Sequence, residues 1–106
     1  MPRHEREEDT MGEREAFEEK QKAEFEEIEA RLQKLQAKAR QVKAEAKIEG
    51  YRWLDELEPK HEEAREKLEA FRRAGESSWK ELKSGVEKAT DNLRNAVDRA
   101  SQKLGS

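Results

Sequence analysis

Residues 72–79 have the sequence Arg72-Arg73-Ala74-Gly75-Glu76-Ser77-Ser78-Trp79, and this stretch decides how the chain folds. Two arginines suit the last turn of a helix, because the helix dipole is negative at that end. Gly75 can adopt the left-handed conformation that closes a helix, and Ser78 with Glu81 has the spacing of a capping box that opens the next one. A signal for the end of one helix and a signal for the beginning of the next lie within a few residues of each other. This spacing predicts a turn at 74–77 between two antiparallel helices.

The residues before this turn follow a heptad pattern. Apolar residues recur in steps of three and four from Phe25 onward, which is typical of a helix that packs against another in a coiled coil. The pattern weakens at Glu49, where a charged residue occupies an apolar position of the repeat. We predict a seam for association with a second chain, and its large residues are Phe25, Ile28, Leu32, Leu35, Val42 and Trp53.

Two residues within this helical pattern disfavour a helix. The apolar stripe slips by one residue beside Pro59, and proline removes an amide donor and clashes with the preceding turn, so we expect a kink there. Gly50 is also unfavourable in a helix, but the heptad phase continues unchanged from Ala46 to Trp53. We therefore predict one long helix over residues 14–73.

The residues after the turn repeat every eleven positions. Leu82 and Leu93 are eleven apart, as are Val86 and Val97, and this spacing gives a nearly straight apolar strip along a helix. We predict a second helix over 78–104 that folds back onto the first. The residues expected to pack within this hairpin are Leu57, Leu68, Phe71, Trp79, Leu82, Val86, Leu93, Val97 and Leu104.

The composition agrees with this architecture. Charged residues make up 46% of the chain and hydrophobic residues 32%, with a mean hydropathy of −1.36, which is typical of long helices. We expect an all-α fold, an extended antiparallel helical hairpin or coiled coil formed by residues 13–106 after a flexible charged tail at 1–12. The alternative is a three-helix bundle with helices at 14–49, 51–73 and 78–104.

The sequence contains little that suits catalysis. Carboxylate pairs such as Glu62 and Glu63 lie on solvated helix faces, where nothing separates their pKa values for acid–base work. The string His61-Glu62-Glu63-Ala64-Arg65 is similar to the zinc motif His-Glu-x-x-His but has Arg65 in place of the second histidine. We therefore expect no enzymatic activity, no cofactor, no metal and no small-molecule substrate.

Charge is distributed unevenly along the chain. Residues 1–29 hold 12 acidic and 5 basic residues, whereas residues 30–53 hold 7 basic and 2 acidic ones. An acidic segment beside a basic one favours staggered or antiparallel pairing of like chains, and we expect a homo-oligomer, with a dimer favoured. Basic residues flank the apolar face of 78–104, which also suits a membrane surface, and peripheral lipid binding is the alternative function. Nucleic acid is disfavoured, because the chain is acidic overall and its basic stretch has no interleaved aromatic residues.

The cellular location follows from what the sequence lacks. The chain has no cysteine, no apolar run long enough to span a bilayer and a charged N-terminus without a secretory signal. We expect a cytoplasmic protein.

Residues 74–89, AGESSWKELKSGVEKA, resemble the C-terminal part of small bacterial coiled-coil-domain proteins that are often described as stress-response proteins. Residues 44–49, AEAKIE, are similar to the mid-helix segment of the same proteins. The eleven-residue strip resembles the repeats of apolipoproteins and late-embryogenesis-abundant proteins. The resemblance covers about residues 25–104 and implies long helices with a stress-protective or scaffolding role and no catalytic residues.

Overall fold

The computed structural model describes residues 2–75 and 78–104, with side chains from residue 12 onward. Helix α1 spans Pro2–Gln41, helix α2 spans Ala44–Arg73 and helix α3 spans Trp79–Lys103. Each helix contacts the other two, and the bundle measures 61 × 26 × 16 Å. The predicted all-α fold is confirmed, and the helices are arranged as the alternative three-helix bundle, although the first break lies at residues 42–43 and not at residue 50.

The prediction of one continuous helix over 14–73 is wrong, because the chain turns back at Val42 and Lys43. Lys43 is extended, with φ −62° and ψ 153°, and α2 begins directly after it. This turn contains neither glycine nor proline, so packing explains it better than local preference. Extending a helix by one residue stabilises it by about 0.3 kcal/mol at most, whereas burying one large apolar side chain contributes about 1.5–3 kcal/mol.

Helix α1 also begins earlier than predicted, at Pro2 instead of residue 14. It therefore includes most of the segment 1–12 that we expected to be a tail. The flexibility of that segment stays a prediction.

Helix α2 runs through both residues that disfavour a helix. Pro59 lies inside α2 on its exposed side, so the carbonyl group that loses its amide donor there can hydrogen-bond to water. Gly50 also lies inside α2, as the unchanged heptad phase predicts. Gly50 is buried, and it allows α2 to lie close to Ala39 of α1.

The second turn, between Arg73 and Trp79, includes the segment 74–77 where we predicted it. Residues 76 and 77 lie outside the described part of the chain. The chemistry of the helix ends differs from the prediction. The residue after α2 that ends the helix is Ala74 in an extended conformation, and the φ of Gly75 is not in the left-handed region. Ser78 precedes α3 but its side chain makes no capping hydrogen bond, so the predicted capping box does not form. The amide of Ser78 instead donates to the carbonyl of Gly75 at 3.0 Å.

The C-terminal end of α2 is capped by a side chain from α1. The Arg14 guanidinium donates to the carbonyl oxygens of Ala74, at 2.6 Å, and Arg72, at 3.3 Å. The last carbonyl groups of a helix lack amide partners and carry the negative end of its dipole, so a cation there is favourable. Arg14 thereby ties the start of the bundled part of α1 to the end of α2.

An aromatic cluster joins all three helices at this end of the bundle. The ring of Phe71 on α2 lies 5.0 Å from Phe17 on α1 and 6.1 Å from Trp79 on α3, measured between centroids. Both distances are within the favourable range for aromatic pairs. From this cluster a continuous core runs along the bundle, and its other members include Ile28, Leu35, Leu57, Ala64, Val86, Leu93 and Val97.

Candidate functional site

The residues predicted to form a seam between two chains lie largely in the core of one chain. The turn at residues 42–43 folds α1 back onto α2 and α3, so its apolar stripe packs within the same molecule. With one long helix over 14–73, the part of this stripe up to Val42 would have faced water in a monomer. That expectation is wrong, although this does not test self-association itself. Four of them are buried and two are half-buried: Phe25, Ile28, Leu32 and Leu35, then Val42 and Trp53.

The apolar strip of α3 is also covered by the bundle. The residues expected to pack within the hairpin are all buried or half-buried: Leu57, Leu68, Phe71, Trp79, Leu82, Val86, Leu93, Val97 and Leu104. A helix that binds lipid through its apolar face must present that face to the membrane. Lipid binding through the last helix would therefore require α3 to leave the bundle.

Two large apolar side chains remain exposed among the described residues. Ile48 is 71% exposed and Tyr51 is 44% exposed, both near the start of α2. Residues three apart lie on the same face of a helix, so the two form one patch. Neither residue belongs to the heptad stripe, and apolar residues outside the stripe were the sequence signal that we missed.

A groove of about 480 Å³ lies beside this patch, between α1 and α2. Its apolar lining is Leu32, which is buried, and Leu54, which is half-buried. Its rim carries the exposed charges of Arg40, Asp55 and Glu58. The groove residues, which together with Ile48 we call the α1–α2 face, are Leu32, Gln36, Arg40, Tyr51, Leu54, Asp55, Glu58 and His61.

The histidine that we considered as a metal ligand lies at one end of this groove. Its Nε2 atom is 2.9 Å from the Glu29 carboxylate on α1. The imidazole ring also stacks on Phe25, with 5.3 Å between centroids and 7° between planes. His61 therefore holds α1 and α2 in register. In the part of the chain whose side chains are described, no three histidine or carboxylate groups come together as a metal site would require.

Ion pairs join α1 to α3 on the other side of the bundle. Arg94 lies 3.0 Å from the Glu24 carboxylate, and Arg31 pairs with Asp98. Within the described part of the chain, the rim charges Arg40, Asp55 and Glu58 form no such ion pair. Those three charges are thus available to another molecule.

On the solvent side of α2, Arg65 donates a hydrogen bond of 2.6 Å to Glu62. This hydrogen bond holds the pKa of Glu62 below its ordinary value and raises the pKa of Arg65. Both side chains are about half exposed, so the pair belongs to a solvated helix surface, where an ion pair contributes little to stability.

None of the described helices combines the length and the apolar character that crossing a membrane requires. No family model, no curated protein and no solved structure matches the chain. The resemblance to bacterial coiled-coil-domain proteins therefore stays a prediction.

Proposed function

We propose that the chain is a non-catalytic helical bundle that associates with copies of itself. The observation that carries this proposal is the exposure of Ile48 and Tyr51 beside an open groove. The apolar stripes of the three helices are already satisfied within one chain, so the fold does not need these two side chains. Burying a large apolar side chain contributes about 1.5–3 kcal/mol, which favours a second molecule on this face.

The environment of the ionisable groups supports a role without catalysis. The polar side chains buried in the described part of the chain are Gln21 and Thr90, and neither of them ionises near neutral pH. General acid–base chemistry depends on desolvated groups with shifted pKa values. The carboxylates on the α1–α2 face, Asp55 and Glu58, are exposed to solvent.

A scaffolding or stress-protective role in the cytoplasm is the biological setting that we propose for this association. It rests on the resemblance of residues 74–89 to bacterial coiled-coil-domain proteins. The absence of cysteine from the chain also suits a reducing compartment.

Sedimentation equilibrium tests the proposal directly. The wild-type protein should show a concentration-dependent dimer at tens of micromolar, and Ile48→Glu should shift it to a monomer. Ala70→Glu is the matched control, because Ala70 is exposed on the same helix and outside the α1–α2 face. A wild-type protein that stays monomeric at these concentrations contradicts the proposal, and flotation of that monomer with anionic vesicles would support the lipid alternative instead.

A further inference from the structure

We infer that the second copy lies antiparallel to the first across a two-fold axis, with the α1–α2 faces together and Arg40 of each copy level with Asp55 and Glu58 of the other. This inference rests on the proposed self-association. It adds which surface of each copy forms the interface, how the two copies are oriented, and which charged residues favour that orientation.

A two-fold interface uses the same patch on both molecules, so that patch must complement itself. The α1–α2 face meets this requirement in shape. Ile48 and Tyr51 are exposed beside the groove, and the groove between α1 and α2 provides an apolar recess lined by Leu32 and Leu54. One copy can therefore supply the projection that fills the recess of the other.

The register of α1 against α2 shows which parts would meet. Gly50 faces Ala39, and His61 faces Glu29 about three turns further along. Since the two helices are antiparallel, Leu32 lies level with about residue 57 of α2, and Arg40 with about residue 49.

A two-fold axis perpendicular to the helices at the level of Arg52 then places the two patches on the two grooves. Ile48 of one copy falls level with Leu32 of the other, and Tyr51 falls level with Leu54. The apolar patch of each copy therefore lies at the same level as the apolar recess of the other, without any change in the fold of either copy.

The same axis also brings opposite charges together. It places Arg40 of one copy level with the segment between Asp55 and Glu58 of the other, and these three side chains are exposed and unpaired within the described part of one chain. A parallel arrangement would instead set Arg40 level with Arg40, and Asp55 and Glu58 level with the same two residues of the other copy. Repulsion between these like charges disfavours the parallel dimer.

Charge reversal measured by sedimentation equilibrium tests the inference. Arg40→Glu and Glu58→Arg should each weaken dimerisation by about tenfold, because each one sets like charges against each other. The double variant R40E/E58R should recover dimerisation to within about threefold of the wild type, since the exchanged charges again complement each other. Lys88→Glu, at an exposed position of α3, is the matched control and should dimerise as the wild type does.

The outcomes separate this inference from the proposed function. A wild-type dimer that is unaffected by either single reversal, or single defects that the double variant does not repair, would overturn the inference and leave self-association standing. A wild-type monomer would overturn both. The circular dichroism spectrum of each variant should match that of the wild type, because Arg40, Glu58 and Lys88 are all exposed.

Discussion

Gly50 lies directly against Ala39 where α1 and α2 meet beside the first turn. A Cβ atom added at Gly50 would lie 3.5 Å from the Ala39 Cβ and 3.1 Å from the Leu104 Cδ2. The glycine is therefore a point of close approach between three elements of the bundle, although it marks no break in the helix. Two predictions of opposite sign follow at this position.

Gly50→Ala should raise the free energy of unfolding by about 0.5 kcal/mol. Alanine favours a helix over glycine by about 1 kcal/mol, and the atom that the new methyl group meets first is the end of the flexible, half-buried Leu104 side chain. Gly50→Leu should lower the stability by about 1–3 kcal/mol, because a large side chain would push α2 away from Ala39. Urea unfolding of both variants measures the difference. A Gly50→Leu variant as stable as the wild type would contradict the close packing, and a strongly destabilised Gly50→Ala would show that the Leu104 side chain cannot move aside.

Arg14→Ala should destabilise the bundle by about 1–2 kcal/mol. The substitution leaves the carbonyl groups of Arg72 and Ala74 without their donor at the end of α2. Arg73→Ala, at an exposed position in the same turn, should change stability by less than about 0.5 kcal/mol. Equal effects of the two substitutions in thermal unfolding would show that Arg14 does not cap α2.

Gln21→Leu should stabilise the protein by about 1 kcal/mol. Gln21 is buried on α1, one turn from both Phe17 and Phe25, and its Oε1 atom has no hydrogen-bond partner. A buried polar atom without a partner costs about 1–3 kcal/mol, and leucine has a similar volume without that group. A lower melting temperature for Gln21→Leu than for the wild type would contradict this interpretation.

Leu35→Ala should lower the free energy of unfolding by about 2–5 kcal/mol, and the loss should not depend on protein concentration. Leu35 is buried and lines a shallow surface groove with Val97 of α3 in the same chain. Gln33→Ala, at an exposed position of α1, is the control and should have little effect. A loss of stability that disappears on concentrating the protein would instead place Leu35 in an interface between chains.

The two turns differ in how far the sequence could predict them. The turn at 74–77 contains Gly75 and Ser77 and is followed by Ser78, and these residues disfavour helix continuation, so its position could be predicted even though its hydrogen bonds could not. The turn at Val42 and Lys43 has no such residues. The one indication of a change in the sequence is Glu49, seven positions beyond Val42, where the heptad pattern weakens. The turn itself is explained by the burial of apolar stripes that lie far apart in the sequence.

Apolar periodicity identified buried residues better than it identified their partners. Leu32 and Leu35 were expected to pack against another chain, but both are buried in their own. A stripe shows that one face of a helix is covered without showing what covers it. The exposed patch was missed for a related reason, since Ile48 and Tyr51 fall outside the stripe and the groove beside them depends on how α1 and α2 are spaced.

The most direct test of antiparallel association through the α1–α2 face is a pair of spin-label distance measurements between copies. The chain has no cysteine, so Arg52→Cys and Glu19→Cys each provide one labelling site, both at exposed positions. Labels at residue 52 lie near the proposed axis and should be less than about 30 Å apart. Labels at residue 19 lie about 27 Å along the bundle from the axis, and should be about 55 Å apart. Short distances at both sites, or no distance between copies at either, would contradict the account.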